Sequence, residues 1–419
     1  MRVLWIAQNG GLYKNAEVKG TGGWIGALQS VLTAYIPSLE LGIVFPYNGD
    51  KEVLQEGNVT YFPFTYGPSS NKIVRGLQHL LRNKKNTERM FVENIINAIN
   101  NFNPDVVHMW GLEHLHAASL PLIKKPCVLH IQGLTSLYKF TYCTPFFSEK
   151  DLKSCDSFFE RIVLRHGQWA KYRDFVSRAE RELKYAPYVK YWIGRTEWDY
   201  QASLLLSPNS RYFHCEEMMR NDFICEKWKF HFTDMLHIQS NISCDWYKGV
   251  DVVLKTAALL KKYNQSFVWN IYGIDRDSSM VKYMTRKLGI CPKEVNVIFN
   301  GRVLGSAIRD SLLEADVYCH PAFIENSSNA IAEAMMMGVP TVAQYVGGNP
   351  TMLKDNSGIL VAPNEPYVLA SALLKMRDAK TANFFSSRAI SVATERQNRN
   401  IILNNLVAIY QTVIDENDQ

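Results

Sequence analysis

The strongest constraint on this chain is an alternation that runs twice. Short apolar stretches of strand length give way to longer stretches whose apolar residues recur at helical spacing. In the first half, Arg2 to Ala7 reads as a strand, and Trp24 to Tyr35 as a helix behind a glycine-rich turn. Gly42 to Pro46 and Val59 to Phe62 read as short strands, and Asn71 to Asn101 has helical spacing. Asp105 to Trp110, Cys127 to Ile131 and Tyr188 to Ile193 are further strands, the last followed by a helix from Glu197. The pattern then restarts. Strands at Met235 to Ile238, Phe267 to Tyr272, Val295 to Phe299, Val317 to His320, Pro340 to Ala343 and Gly358 to Val361 are interleaved with helices at Val250 to Lys262, Ala307 to Glu314 and Asn329 to Met337. Strands that alternate with helices favour a parallel sheet with helices on both faces.

The chain is therefore read as α/β, with two Rossmann-like, doubly wound parallel-sheet domains. A length of 419 residues is too much for one ordinary core. The first domain is expected over 1–218 and the second over 230–397. Glu217 to Lys229 has mixed charge and no clear period, and the linker is placed at 219–229. Thr394 to Ile414 reads as one amphipathic helix, and 398–419 is expected to cross back to the first domain. Two such domains facing one another leave a ligand cleft at the carboxyl ends of their strands.

Composition removes several classes. Hydrophobic residues at 47% and charged residues at 21% describe a globular protein and not a disordered one. A net charge of +6 is mild for this length and does not by itself imply nucleic acid. The eight cysteines contain no C-x-x-C pair, and several lie in apolar runs such as Val317-Tyr318-Cys319-His320. Buried free thiols in a reducing compartment fit that pattern. Met1 to Ala7 is too short an apolar run for a signal peptide, and no window holds the ~20 apolar residues of a membrane span. The expectation is a cytosolic chain that is not integral to a membrane.

The sharpest chemical signal is His320-Pro321-Ala322-Phe323-Ile324-Glu325-Asn326-Ser327-Ser328-Asn329-Ala330-Ile331-Ala332-Glu333-Ala334-Met335, set between a strand and a helix. Ser327, Ser328 and Asn329 are good amino-terminal caps. The helix behind them offers free backbone N–H groups and the positive end of its dipole, which suits a diphosphate. Glu325 precedes the helix and Glu333 lies about one turn inside it, so two carboxylates can flank one ligand. A carboxylate accepts well from vicinal hydroxyls such as those of a ribose or hexose.

This stretch resembles the paired-glutamate (E-x7-E) motif of retaining glycosyltransferases with the GT-B fold, in the large group 1 family that includes sucrose synthases and bacterial mannosyl- and glucosyltransferases. Glu333-Ala334-Met335, Gly338-Val339-Pro340 and Gly347-Gly348 agree with it. The resemblance implies that Glu333 holds the ribose hydroxyls of the donor nucleotide. Glu325 and Asn326, Ser327, Ser328 and Asn329 would contact the donor sugar and phosphate. It further implies that Lys248, in Tyr247-Lys248-Gly249, neutralises the leaving diphosphate, as a fixed cation placed where charge develops. An arginine that family members carry earlier in this segment is absent from Gln239-Ser240-Asn241, and Arg195 is the candidate to supply a charge from the other domain. Gly22 and Gly23, in Gly20-Thr21-Gly22-Gly23, and Val303 are assigned to donor binding as well. His130 is placed against the donor sugar, and His108 is read as structural. The glycine loop is not G-x-G-x-x-G, so a nicotinamide site is disfavoured.

Asp275-Arg276-Asp277 matches the metal motif of a different glycosyltransferase fold, but no second acidic cluster accompanies it, and it reads as an ordinary acidic turn. The expected reaction is metal-independent transfer of a hexose-type sugar from a nucleotide diphosphate, UDP favoured over GDP, to a glycan or lipid-linked acceptor. No cofactor is expected. Basic residues at Lys72, Arg75, Arg82, Lys84, Lys85 and Arg89, and at Arg161, Arg165, Lys171, Arg173, Arg178, Arg181 and Lys184, suit peripheral contact with an anionic membrane face. Solvated helix faces with interspersed acids are the other reading of the same residues. The alternative functions are a sugar-nucleotide epimerase on the same architecture and a non-catalytic nucleotide-sugar-binding subunit.

Overall fold

A computed structural model describes residues 1–15, 23–49, 51–65, 84–157, 167–224, 226–231 and 234–417. Its first sheet has the strands β1 (Arg2–Ile6), β2 (Glu40–Pro46), β3 (Leu54–Glu56), β4 (Val59–Phe64), β5 (Val106–Trp110), β6 (Cys127–His130), β7 (Tyr191–Gly194) and β8 (Arg211–His214). Their spatial order is β3-β4-β2-β1-β5-β6-β7-β8. All pairs are parallel except β3 with β4. The second sheet is formed by β9 (Leu236–Asn241), β10 (Phe267–Tyr272), β11 (Val297–Phe299), β12 (Val317–His320), β13 (Thr341–Gln344) and β14 (Ile359–Val361). It is wholly parallel, in the order β11-β10-β9-β12-β13-β14.

Both sheets start in the middle and wind outward in two directions. The strand order reverses between β1 and β5 in the first sheet and between β9 and β12 in the second. Those reversals open crevices at the carboxyl ends of the strands. The central strands are buried on both faces, which is why they read as unbroken apolar runs: every residue of β5 and β12 is buried. The edge strands β3 and β8 bury little and carry no apolar run, so no sequence signal marks them.

Separate apolar clusters lie on the two faces of each sheet. The carboxyl-terminal segment differs from its sequence reading. It forms two helices, Ala379–Arg396 and Arg399–Asn417, and not one helix over Thr394 to Ile414. The break is local chemistry: Asn398 Oδ1 accepts the free N–H groups of Asn400 and Ile401 at 3.1 and 3.2 Å, starting a new helix. The last helix buries Ile402, Leu406, Tyr410 and Val413 against Val3, Trp5 and Ile25 of the first domain. Tyr410 Oη accepts from Trp5 Nε1 at 3.1 Å and lies 2.6 Å from His108 Nδ1.

Candidate active site

The loop between β12 and the helix Asn329–Met337 is fixed by three glycines on neighbouring segments. Gly249 has φ +78, and a β-carbon there would lie 1.9 Å from the Pro321 carbonyl oxygen. At Gly347, with φ +49, a β-carbon would lie 1.9 Å from the Glu325 carbonyl oxygen, and at Gly348 1.9 Å from that of Asn326. No side chain could stand at these positions without moving the loop. Gly348 N–H donates to the Glu325 carbonyl at 2.9 Å, Phe323 N–H to the Tyr247 carbonyl at 2.8 Å, and Gln344 Nε2 to the Pro321 carbonyl at 2.8 Å. Ser328 caps the helix, its Oγ accepting from Ile331 N–H at 3.4 Å, and Gly338 ends the helix in the left-handed region.

That loop carries the buried Glu325 to a half-buried cation. Lys248 Nζ lies 2.5 Å from Glu325 Oε2, and His320 Nε2 lies 3.1 Å from the same oxygen. Tyr318 Oη stands 3.2 Å from His320 Nδ1, continuing the line of polar groups down β12. Burial opposes ionisation of Glu325, but the Lys248 ammonium and the His320 hydrogen bond outweigh it and hold the carboxyl well below its usual range. Burial, helped by the same ammonium, outweighs the Glu325 contact and lowers the His320 imidazole below its ordinary value, which favours its neutral form.

Glu333 has a different partner. It is buried, and Arg220 from the crossover between the domains forms an ion pair with its Oε1 through Nη2. Burial raises the Glu333 carboxyl above its ordinary value, and Arg220 opposes that rise. Arg220 was missed by sequence reasoning. It lies in a segment read as linker, and nothing in the local spacing marks it.

Asn326 bridges the domains. Its Oδ1 accepts from Thr196 Oγ1 at 3.3 Å, and its Nδ2 is buried without a protein partner. Ser327 is half-buried and Asn329, the first helical residue, is exposed. Val303 lies after β11 and is partly exposed, two positions before the helix Gly305–Glu314. Gly23 begins the helix Gly23–Tyr35, while Gly22 lies outside the described residues.

His130 ends β6 beside the switch-point strand β5. It is buried, and neither ring nitrogen has a hydrogen-bond partner. Its ring stacks on Trp110 at 4.6 Å and lies nearly parallel to His108 at 5.4 Å. Burial drives the His130 imidazole to its neutral form, aided by nearby His108 and Arg195. His108 is held by Tyr410 and belongs to the packing of the last helix.

Arg195 faces inward. Its guanidinium pairs with Glu217 and donates to the carbonyls of Ile131 and Gln132 at 3.2 and 3.4 Å. A role at the diphosphate would first require that pair to break. Asp277 is exposed and ion-paired with Lys282 at 3.0 Å. Among the described residues no group of three or more His, Cys, Asp or Glu is placed to hold a metal ion. The seven described cysteines are free thiols.

Much of the basic segment over Asn71 to Asn101, and Arg161 and Arg165, fall outside the described residues. Of the rest, Arg89 pairs with Glu93, Arg178 with Asp174 and Lys171 with Asp245, at 2.7, 2.9 and 2.8 Å. No helix among the described residues is long and apolar enough to cross a membrane.

Residues 236–378, which contain Lys248, Glu325 and Glu333, match the family described as glycosyl transferases group 1. The match lies within the second domain and covers about a third of the chain. The chain also has partial likeness to curated proteins: 33% identity over 104 residues to Protein CapJ of Staphylococcus aureus, and 30% over 78 residues to the putative teichuronic acid biosynthesis glycosyltransferase TuaC of Bacillus subtilis. These matches cover 25% and 19% of this chain, and only 26% and 20% of those relatives. In fold the likeness extends over nearly the whole chain. Sucrose-phosphate synthase from Thermosynechococcus elongatus superposes with a TM-score of 0.70 at 14% identity, over 99% of both chains. Anabaena HepE, solved with UDP and glucose, gives 0.61 at 16% identity over 98% of this chain and 99% of that one. The segment matched to group 1 glycosyl transferases thus sits in a two-domain GT-B fold that spans nearly the whole chain.

Proposed function

We propose that this protein is a retaining glycosyltransferase. It moves a hexose-type sugar from a nucleotide diphosphate, UDP favoured, to a glycan or lipid-linked acceptor, without a metal ion. The observation that carries the reading is the Lys248–Glu325 pair, held at the carboxyl end of β12 beside the amino-terminal end of the helix Asn329–Met337. A fixed ammonium and the helix's free N–H groups stand where a leaving diphosphate would develop charge. The bound UDP and glucose of Anabaena HepE favour a uridine donor on this shared fold.

The chemistry follows from these groups. Departure of the diphosphate leaves a sugar with oxocarbenium character. Lys248 and the helix end stabilise the departing oxygens. Glu325 and neutral His130 position the sugar hydroxyls, and the acceptor attacks from the face the diphosphate leaves. The leaving phosphate takes the acceptor proton, and the cation at Lys248 supplies the charge that a metal would otherwise bring. A cytoplasmic site of action, with peripheral contact at an anionic membrane face, belongs to the same proposal. The likeness to TuaC, a putative teichuronic acid biosynthesis glycosyltransferase, favours a polysaccharide as product.

The test is the anomeric configuration of sugar released or transferred from UDP-glucose and its common epimers, followed by NMR with wild type and Lys248→Met. Retention in wild type with loss in the variant supports the reading. Inverted product contradicts the retaining assignment, and turnover without any acceptor or water points to epimerisation.

A further inference from the structure

The proposed donor site contains a cation that the group 1 motif does not supply. Arg220 lies on the crossover between the domains. That crossover is tied to the returning chain, because Glu216 Oε2 accepts from Arg396 Nη2 at 2.8 Å and Asn221 Oδ1 accepts from Arg399. Arg220 Nη2 engages one oxygen of Glu333. Its guanidinium carbon stands 4.9 Å over the Phe223 ring. Nη1 borders the start of the helix Gly305–Glu314: a β-carbon on Gly305 would lie 3.1 Å from it. Residues of the crossover, the start of the helix Gly305–Glu314 and the helix Asn329–Met337 therefore meet at one guanidinium.

We propose that Arg220 is a donor-positioning residue: it orients the Glu333 carboxylate for the ribose hydroxyls of a nucleoside diphosphate and presents its own exposed edge, stacked on Phe223, to the nucleobase. This rests on the reading that Glu333 takes the ribose. The geometry divides the labour. The Glu333 side chain is 8% exposed and that of Arg220 34%, so the carboxylate is the buried anchor and the guanidinium the reachable rim. A guanidinium has five donors in a rigid fork, and the contact to Glu333 leaves others for a ligand. Glycine at 305 keeps the approach open.

The charged and titratable groups facing Glu333 are Arg220 and Asp222 from the crossover and Tyr318 from β12, while Lys227 reaches the Met336 carbonyl at the end of the same helix. Burial and Asp222 both favour the protonated carboxyl, and Arg220 opposes them. Without Arg220 the carboxyl keeps its proton to higher pH, and a neutral acid is a poorer acceptor for two hydroxyls.

The experiment is calorimetric titration with UDP, GDP and ADP, and with the 2′-deoxy form of whichever binds, across pH 6 to 8.5. The proteins are wild type, Arg220→Met, Arg220→Lys and Glu333→Gln. Losing one charged contact predicts binding ~10- to 100-fold weaker in Arg220→Met. Its affinity should recover as pH rises, and its penalty for a 2′-deoxy ribose should shrink. Arg220→Lys, which keeps the charge and loses the fork, should keep the wild-type pH profile and bind several-fold more weakly than wild type. Arg220→Met and Arg220→Lys that both bind as wild type does at every pH, with the same 2′-deoxy penalty, would overturn the inference alone. If wild type binds no nucleotide, or Glu333→Gln binds as well as wild type, the donor-site reading fails with it.

Discussion

Lys248 and Glu325, separated by 77 positions in the chain, meet at 2.5 Å across the crevice between β9 and β12. Each comes from the first residues beyond a central strand, so the meeting is a consequence of strand order. Removing only one partner leaves a buried charge unpaired, which costs about 3–5 kcal/mol in such pairs. Lys248→Met should therefore lower the melting temperature, and the double variant Lys248→Met with Glu325→Gln should recover part of the loss while remaining inactive. Thermal melts of the three proteins check this. A single variant as stable as wild type would show that the pair is not closed in solution.

The same pair fixes a pH dependence. The ordinary carboxyl value is 4.5, and Glu325 is held below it in the folded protein. Its contribution to stability is thus complete above 4.5 and is lost as pH falls toward the depressed value. The stability gap between wild type and the double variant should be constant from pH 7 to 5 and shrink below 4.5. A gap that stays constant down to pH 3 contradicts the assignment.

His130 separates packing from chemistry. Its ring is stacked on Trp110, yet both nitrogens are unpaired. Phenylalanine keeps the stack and removes buried polar atoms that lack partners, so His130→Phe should melt at or above the wild-type temperature. Its turnover should fall by roughly 10-fold or more if the imidazole positions the donor sugar. Full turnover in this variant would make His130 a packing residue only.

The loop glycines should tolerate nothing larger. Gly249→Ala places a methyl group 1.9 Å from the Pro321 carbonyl in a left-handed backbone. The loop must move, and with it Glu325. A loss of about 1–3 kcal/mol, with weaker nucleotide binding, is expected from denaturant titration. Wild-type values for both would mean the loop is soft.

Tyr410 tests the return of the chain. Its hydroxyl joins Trp5 and His108 in the first domain's core. Tyr410→Phe should cost about 1–3 kcal/mol by leaving those buried groups unpaired. An unchanged stability would show that the last helix is held by apolar contacts alone.

Much of the fold was legible because the central strands are buried on both faces and therefore read as apolar runs. Val317–His320 and Phe267–Tyr272 fall where the pattern puts them. The edge strands Leu54–Glu56 and Arg211–His214 were not legible, since pairing on one side needs no apolar signature. The break at Asn398 was missed because amphipathic spacing runs through it and only the side-chain cap stops the helix. At the site, Glu325, Glu333 and Lys248 could be read because local motif and helix position carry them. Arg220 could not, since its placement depends on how the crossover docks against a helix more than a hundred residues later.

The most direct test of the central claim is thermal stability with UDP, GDP, ADP, their sugar conjugates and NAD, with chelator present, for wild type and Glu333→Ala. A ligand at about 100 times its dissociation constant stabilises by roughly 2.7 kcal/mol. The account predicts that one nucleoside diphosphate stabilises wild type without metal and fails to stabilise Glu333→Ala. Stabilisation by NAD alone, or by the same nucleotide equally in both proteins, would contradict a donor site at Glu325 and Glu333.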